Sequence, residues 1–176
     1  MSRKIAVTMV VLTFAMTSSS YFIAKSVQAA EPATSSRDFV RLAPADIEWV
    51  AYPGLAGELG VKQAFLYGNP AEPGLYVLRI HFPPGVMSAP HSHPDDRVAV
   101  VLEGTWWSGT GTTFDPELTV PVGPGSYMLH PAGEMHFDGA RGEDVILQIV
   151  GVGPGGKTLS DKDAPDFALF PLPAQP

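Results

Sequence analysis

Glycine and proline cut this chain into short pieces. There are 18 of each, about a fifth of 176 residues, and they fall between apolar runs. Proline lacks a backbone donor and glycine is costly to order, so long helices would be interrupted throughout; short strands joined by turns would not. The runs read as strands at residues 47–52, 62–67, 75–82, 98–107, 126–130, 134–138 and 145–152. In the third, Tyr76, Leu78, Ile80 and Phe82 share one face, while Val77, Arg79 and His81 share the other, a period of two. Only residues 44–47 hint at a helical turn. Seven or more strands at this spacing predict a single all-β domain, a sandwich or barrel.

The ends of the chain are set apart from that domain. Arg3 and Lys4, an apolar run over residues 5–16 and small residues at 27–30 follow the order of a secretory signal peptide, which assigns residues 1–29 to export and 30–37 to a linker. The apolar run is too short to span a bilayer, so a periplasmic or secreted protein with no stable membrane insertion after processing is expected. Residues 38–159 then form the domain, and the Pro-rich tail 160–176 is expected to wrap the surface or fray. Removing residues 1–29 leaves 8 basic against 18 acidic side chains, a formal charge of −10. Such a surface repels nucleic acid and anionic membrane. With no cysteine, stability rests on the core, and about 145 residues bury enough of one.

Residues 151–158, "GVGPGGKT", satisfy the phosphate-binding-loop pattern and follow an apolar strand. That chemistry needs a helix starting at Lys157, and the proline-rich residues that follow forbid one. The stretch reads as a glycine turn ending a strand.

Chemistry concentrates in the histidines. In "HSHPDDR", residues 91–97, His91 and His93 alternate along an extended segment and point to one face. If the strand holding His136 lies beside them, three imidazoles converge, a donor set that suits a divalent transition metal with open positions. Arg97 shares their parity, points inward and cannot ligate, because guanidinium stays protonated. Two unit charges 4 Å apart at an effective dielectric constant of 20 interact by roughly 4 kcal/mol, and against a divalent ion the repulsion is about double. Something negative must offset it: a substrate anion gripped by Arg97, a pairing of Asp95 or Asp96 with Arg97 or with the fourth position, or else a degenerate site in which Arg97 is structural.

The spacing of these residues resembles the cupin superfamily. Its first motif runs glycine, five residues, His-x-His, three or four residues, Glu, six residues, glycine; Gly85, His91, His93 and Gly104 fit it, with Arg97 at the glutamate. Its second runs glycine, five residues, Pro-x-Gly, two residues, His, three residues, Asn; Gly125, Pro131, Gly133 and His136 fit, with Ala140 at the asparagine. The resemblance implies a cupin jelly-roll barrel with His91, His93 and His136 as metal ligands. Iron(II) is favoured by likeness to three-histidine dioxygenases of the superfamily, with zinc, manganese and nickel as alternatives. A metal-dependent dioxygenase, or another oxidoreductase or isomerase acting on a small organic anion, is then one reading. A non-catalytic binding or sensing module is the other, since residues 104–115, 130–137 and 148–158 look most like the cupin branch of anti-sigma factors. A homodimer through the outer strands is a further implication.

Around this core, Arg97 and Glu134 are expected to take part in the chemistry. Glu134 and Asp138 share alternation with His136, so one of these two acids is expected to orient an imidazole. Arg97, Arg79, Trp106 and Gln148 are expected to line the substrate cavity. His81 and His130 occupy no motif position and read as core or surface residues.

Overall fold

Alternation of apolar and polar side chains is what builds the first of two sheets. The computed structural model describes residues 39–169, so the signal-peptide and linker readings, and the tail from residue 170, lie outside the described residues. In chain order the strands are β1 (Val50–Ala51), β2 (Lys62–Tyr67), β3 (Gly74–Phe82), β4 (Val86–Ser88), β5 (His91–Ser92), β6 (Arg97–Glu103), β7 (Trp106–Thr110), β8 (Val120–Val122), β9 (Tyr127–His130), β10 (His136–Ala140), β11 (Val145–Gly153), β12 (Thr158–Leu159) and β13 (Phe167–Leu169). One four-residue helix, Leu55–Glu58, and two 3-10 turns accompany them. The first sheet runs β1-β2-β3-β11-β6-β9, antiparallel throughout. Inward-facing Tyr76, Leu78, Ile80 and Phe82 of β3 meet Val145, Leu147 and Ile149 of β11 and Ala99 and Val101 of β6 in the core.

The second sheet is centred on β10, all five residues of which are buried. One edge of β10 pairs with β7, which carries β8, and the other with β4 and β5. The register sets His136 opposite His91, so the two motifs are brought together by strand pairing itself. The turn before β10 is tied to the first motif as well: Gly133 donates its backbone N–H to the His93 carbonyl at 2.9 Å, and Ala132 donates to Asp96 Oδ1 at 2.7 Å.

Several elements depart from expectation: the strand expected over 134–138 begins at His136, that over 47–52 is reduced to Val50–Ala51, and Leu55–Glu58 is an unexpected helix. Residues 98–107 form two strands because Gly104 turns between them at φ +71°, a left-handed conformation that favours glycine. A Cβ there would also lie 2.0 Å from the Asp144 carbonyl oxygen. Gly104→Ala is therefore expected to lower stability by about 1–3 kcal/mol, read as a fall in urea midpoint at constant slope. The segment expected to wrap or fray instead adds β13 to β4 and buries Phe167 against Phe82 and Tyr52, with ring centroids 6.0 and 5.5 Å apart.

Candidate metal and anion site

The site lies between the two sheets, where inward positions change from apolar to polar. A cavity of about 30 Å³ is walled by Ile80, Phe82, Trp106, Leu147, Ile149 and Phe167, and its polar lining includes His91, His93, Arg97, His130 and Asp138. At roughly 10–15 Å³ for each water centre, it admits a few small atoms and no more. Two grooves adjoin it. One, about 280 Å³, reaches His93 and Arg97 past Gln63, Pro70, Tyr76 and Lys157; the other, about 560 Å³, reaches His130 and His136 past Thr110, Gly133 and Glu134.

Backbone carbonyls set the tautomers of the three motif histidines. Nδ1 of His91 donates to Ala89 O at 2.7 Å, Nδ1 of His93 to Gly156 O at 2.5 Å, and Nδ1 of His136 to Glu134 O at 3.2 Å. Each ring thus keeps its proton on Nδ1 and presents an Nε2 lone pair, the arrangement by which metal-binding imidazoles are oriented. The Nε2 atoms of His93 and His136 are buried without a hydrogen-bond partner, and the three rings offer ligand atoms within 4.8 Å of one another. Buried, unpaired nitrogens facing a common point fit a metal ion of the kind the cupin resemblance implies.

The environment keeps these rings neutral. Burial, helped by His136, holds the His91 pKa down at about 2; burial and then the Arg97 charge hold that of His93 at about 3. His130 and His136 are lowered as well, in each case chiefly by burial. Unfolded histidine titrates near 6.5, so below that pH the unfolded chain binds protons that the folded chain refuses. Stability is therefore greatest above pH 6.5 and falls as pH drops toward 3. His91 alone contributes a slope of up to about 1.4 kcal/mol per pH unit, measurable as urea midpoints of metal-free protein between pH 7 and 4.

Arg97 does enter the cavity, and strand register explains its setting. An inward row crosses the first sheet from Tyr76 through Gly151 and Arg97 to His130. Gly151 leaves room for its neighbour, since a Cβ there would lie 2.4 Å from the Tyr76 hydroxyl. That hydroxyl hydrogen-bonds Arg97, whose Nε donates to His130 Nδ1 at 3.3 Å. Burial works against the guanidinium charge and lowers its pKa from the ordinary value, while Asp138, then Tyr76 and Tyr52, favour the charged form. No carboxylate among the described residues pairs with Arg97 at ion-pair distance. Asp95 is exposed, and Asp96 is engaged by the Ala132 amide.

The other expected site residues divide between the cavity and the outer surface. Trp106 is buried in the cavity wall, whereas Trp107 faces outward beneath Arg141, 4.0 Å from ring centre to guanidinium carbon. Arg79 and Gln148 lie on the outer face of the first sheet, where Arg79 Nε donates to Gln148 Oε1 at 3.2 Å, because they share parity with Val77 rather than with Leu78. Glu134 sits in the turn that precedes β10, so strand alternation does not govern it; its side chain is exposed, and only its carbonyl reaches His136. The acid beside the imidazoles is Asp138.

Three contributors were not marked by motif. His130 stacks on His136 with ring centroids 3.9 Å apart and receives Arg97; in β9 half-buried Met128 and buried His130 alternate with exposed Tyr127 and Leu129, a pattern the run of apolar residues does not show in the sequence. Tyr76 carries no polar signal within its apolar strand. Lys157, the lysine of the loop-like stretch, lines the cavity while pairing with Asp166 at 2.8 Å and lying 4.5 Å from the Phe167 ring centre. The glycine stretch leads into strand β12, without a helix, and its Gly156 carbonyl orients His93.

Two facing antiparallel sheets with converging histidines define a cupin. More narrowly, residues 37–154 match the ChrR Cupin-like domain, and the chain belongs to that family. Germin-like protein subfamily 1 member 7 of Arabidopsis thaliana is 32% identical over 95 residues, covering 50% of this chain and 42% of that protein. Germin-like protein 1-1 of Oryza sativa subsp. japonica is 36% identical over 70 residues, covering 39% and 32%. The chain spans less than half the length of the curated relatives it matches. Among solved structures, the polyketide cyclase RemF of Streptomyces resistomycificus superposes with a TM-score of 0.54 at 19% identity, over 72% of this chain and 89% of that one. The DMSP lyase DddQ of Ruegeria pomeroyi DSS-3 gives 0.54 at 17% identity, over 69% and 64%. At these identities the likeness is one of fold. No helix among the described residues is long and apolar enough to cross a membrane.

Proposed function

We propose that this chain is a small exported cupin that holds one divalent transition metal ion on His91, His93 and His136 and binds a small organic anion between that ion and Arg97. One observation carries the reading: a guanidinium withdrawn from solvent, with no carboxylate at ion-pair distance, shares a cavity with His91 and His93, whose lone pairs converge with that of His136. Asp138 offsets that charge only from beyond ion-pair distance; buried charge left partly uncompensated is costly, and an anion completes the site. When bound, such an ion supplies Lewis acidity and open coordination positions; iron(II) is favoured, and zinc, manganese and nickel suit the same donors.

The chain's own residues divide the remaining work. Arg97 grips a carboxylate or enolate, with up to two parallel donors, while Tyr76 and His130 hold the guanidinium in place. The cavity takes only the reacting head of the ligand, and the groove past Gln63 and Pro70 takes the remainder. The apolar wall excludes water, which strengthens each of these charges. Oxidation or isomerisation of the anion is the turnover this arrangement suits. A second reading, a metal- or ligand-sensing module without turnover, is favoured by the match to the ChrR Cupin-like domain. If the protein is a homodimer, the outer face of the first sheet offers exposed Leu75, Val152, Tyr127 and Leu129 for pairing.

Elemental analysis of the purified protein, then calorimetric titration and an oxygen-uptake screen with small carboxylic acids, tests the proposal. One equivalent of metal with saturable acid binding is expected. Protein that takes up neither iron, zinc, manganese nor nickel would sink it; metal and acid binding without turnover would select the second reading.

A further inference from the structure

Asp138 is a buried carboxylate that strand register delivers to the histidine cluster. It lies two residues beyond His136 on β10 and so shares its face, and its side chain is only 6% exposed. Ser88 engages mainly its backbone: Asp138 N–H donates to Ser88 Oγ at 3.1 Å, and that hydroxyl donates to Asp138 O at 3.1 Å, with Oδ1 more distant at 3.5 Å. Oδ2 is left facing Nε2 of His136 at 3.8 Å. Because Nδ1 of His136 holds the ring proton, this contact sets two lone pairs against each other inside a buried cavity. Neither acceptor gains from the other, and a cation between them would satisfy both.

We infer that Asp138 is the fourth protein donor to the metal ion, supplying from the second motif's strand the carboxylate that Arg97 displaces from the first. The inference rests on the metal reading above. Two ligands about 2.1 Å from a tetrahedral ion stand about 3.4 Å apart, close to the observed separation of Oδ2 from His136 Nε2. Asp138 groups with His136 and His130 within 4.8 Å but not with His91 and His93, so its carboxylate must turn toward the ion to join them. His130 stays outside the proposed shell of three imidazoles and one carboxylate, because its Nδ1 lone pair is taken by Arg97 and its Nε2 faces Met128 Sδ at 3.2 Å. Asp138 lowers the net charge of the ion by one and faces the Arg97 field that favours it.

Cobalt(II) titration of the full chain and of Asp138→Asn tests this, reading affinity and the visible ligand-field spectrum together. The substitution keeps the shape and removes the charge; it should weaken cobalt binding by about 100-fold and shift the spectrum as an anionic carboxylate is replaced by a neutral amide. If wild-type protein takes up no cobalt, the metal reading and this inference fall together. If wild type binds cobalt and Asp138→Asn binds it equally, with the same spectrum, this inference alone falls. Should the variant not fold, the infrared difference between zinc-loaded and metal-free wild type decides: a perturbed carboxylate band is expected, and its absence overturns the assignment.

Discussion

His93→Ala should abolish tight metal binding while leaving the metal-free protein nearly as stable as before, whereas His136→Ala should lose the metal and stability together. Both rings present an unpaired Nε2 to the same point, so either loss removes one of few protein donors. Structural zinc sites bind with about 10–16 kcal/mol over four ligands, or about 2.5–4 kcal/mol for each, and losing one costs on the order of 10²–10³-fold in affinity. The two rings differ in how they are packed. His93 is partly exposed and tied by one bond to the Gly156 carbonyl, so truncation opens little space. His136 is buried between His91 and His130, with ring centroids 4.4 and 3.9 Å away. Its removal leaves a void but also relieves an unpaired Nε2, for a net cost of about 1–2 kcal/mol. Metal competition titrations and urea unfolding in chelator separate the two effects. A His93→Ala protein that binds metal as wild type does would remove His93 from the ligand set.

What the sequence made legible follows from which physical rule governs each residue. Alternation is local, so residues 62–67 and 75–82 read as strands almost to their ends, and the inward face of β3 was assigned residue by residue. The spacing of His91, His93 and His136 was legible because those positions share motif distances that a barrel requires. Cross-strand register is not local, and it decided the rest. His130 became part of the site because β9 pairs with β6 in a register that sets it opposite Arg97, which nothing in "SYMLHP" announces. Parity misled at Glu134, where a turn precedes the strand, and left Asp138 as an undistinguished alternative. Arg79 and Gln148 were polar in apolar strands, but each is the other's cross-strand neighbour on the outside. The tail's prolines hid β13, whose stability comes from Phe167 in the core rather than from strand propensity.

Arg97→Glu should tighten metal binding and eliminate anion binding in the same protein. The substitution restores the acid of the first cupin motif at an inward position, exchanging repulsion of a divalent ion for attraction. At an effective dielectric constant of 20, charges this near interact by several kcal/mol, so after solvation losses a gain on the order of 10²-fold in zinc affinity is expected. The metal-free variant should be less stable than wild type, since the new carboxylate meets Asp138 instead of balancing it, and loses the bonds from Arg97 to Tyr76 and His130. Adding zinc should recover that loss, because binding to the folded state alone stabilises it by mass action. Arg97→Met separates charge from coordination: it should lose the anion and tighten the metal by less than Arg97→Glu does, since it removes the repulsion without adding a ligand. Titrations with zinc and with a small carboxylic acid, on all three proteins, read both affinities. Anion binding that survives both substitutions would deny Arg97 its part in holding the ligand. If instead neither variant folds even with zinc, the guanidinium serves the packing of the row from Tyr76 to His130, and the cavity's charge belongs to the fold rather than to a ligand.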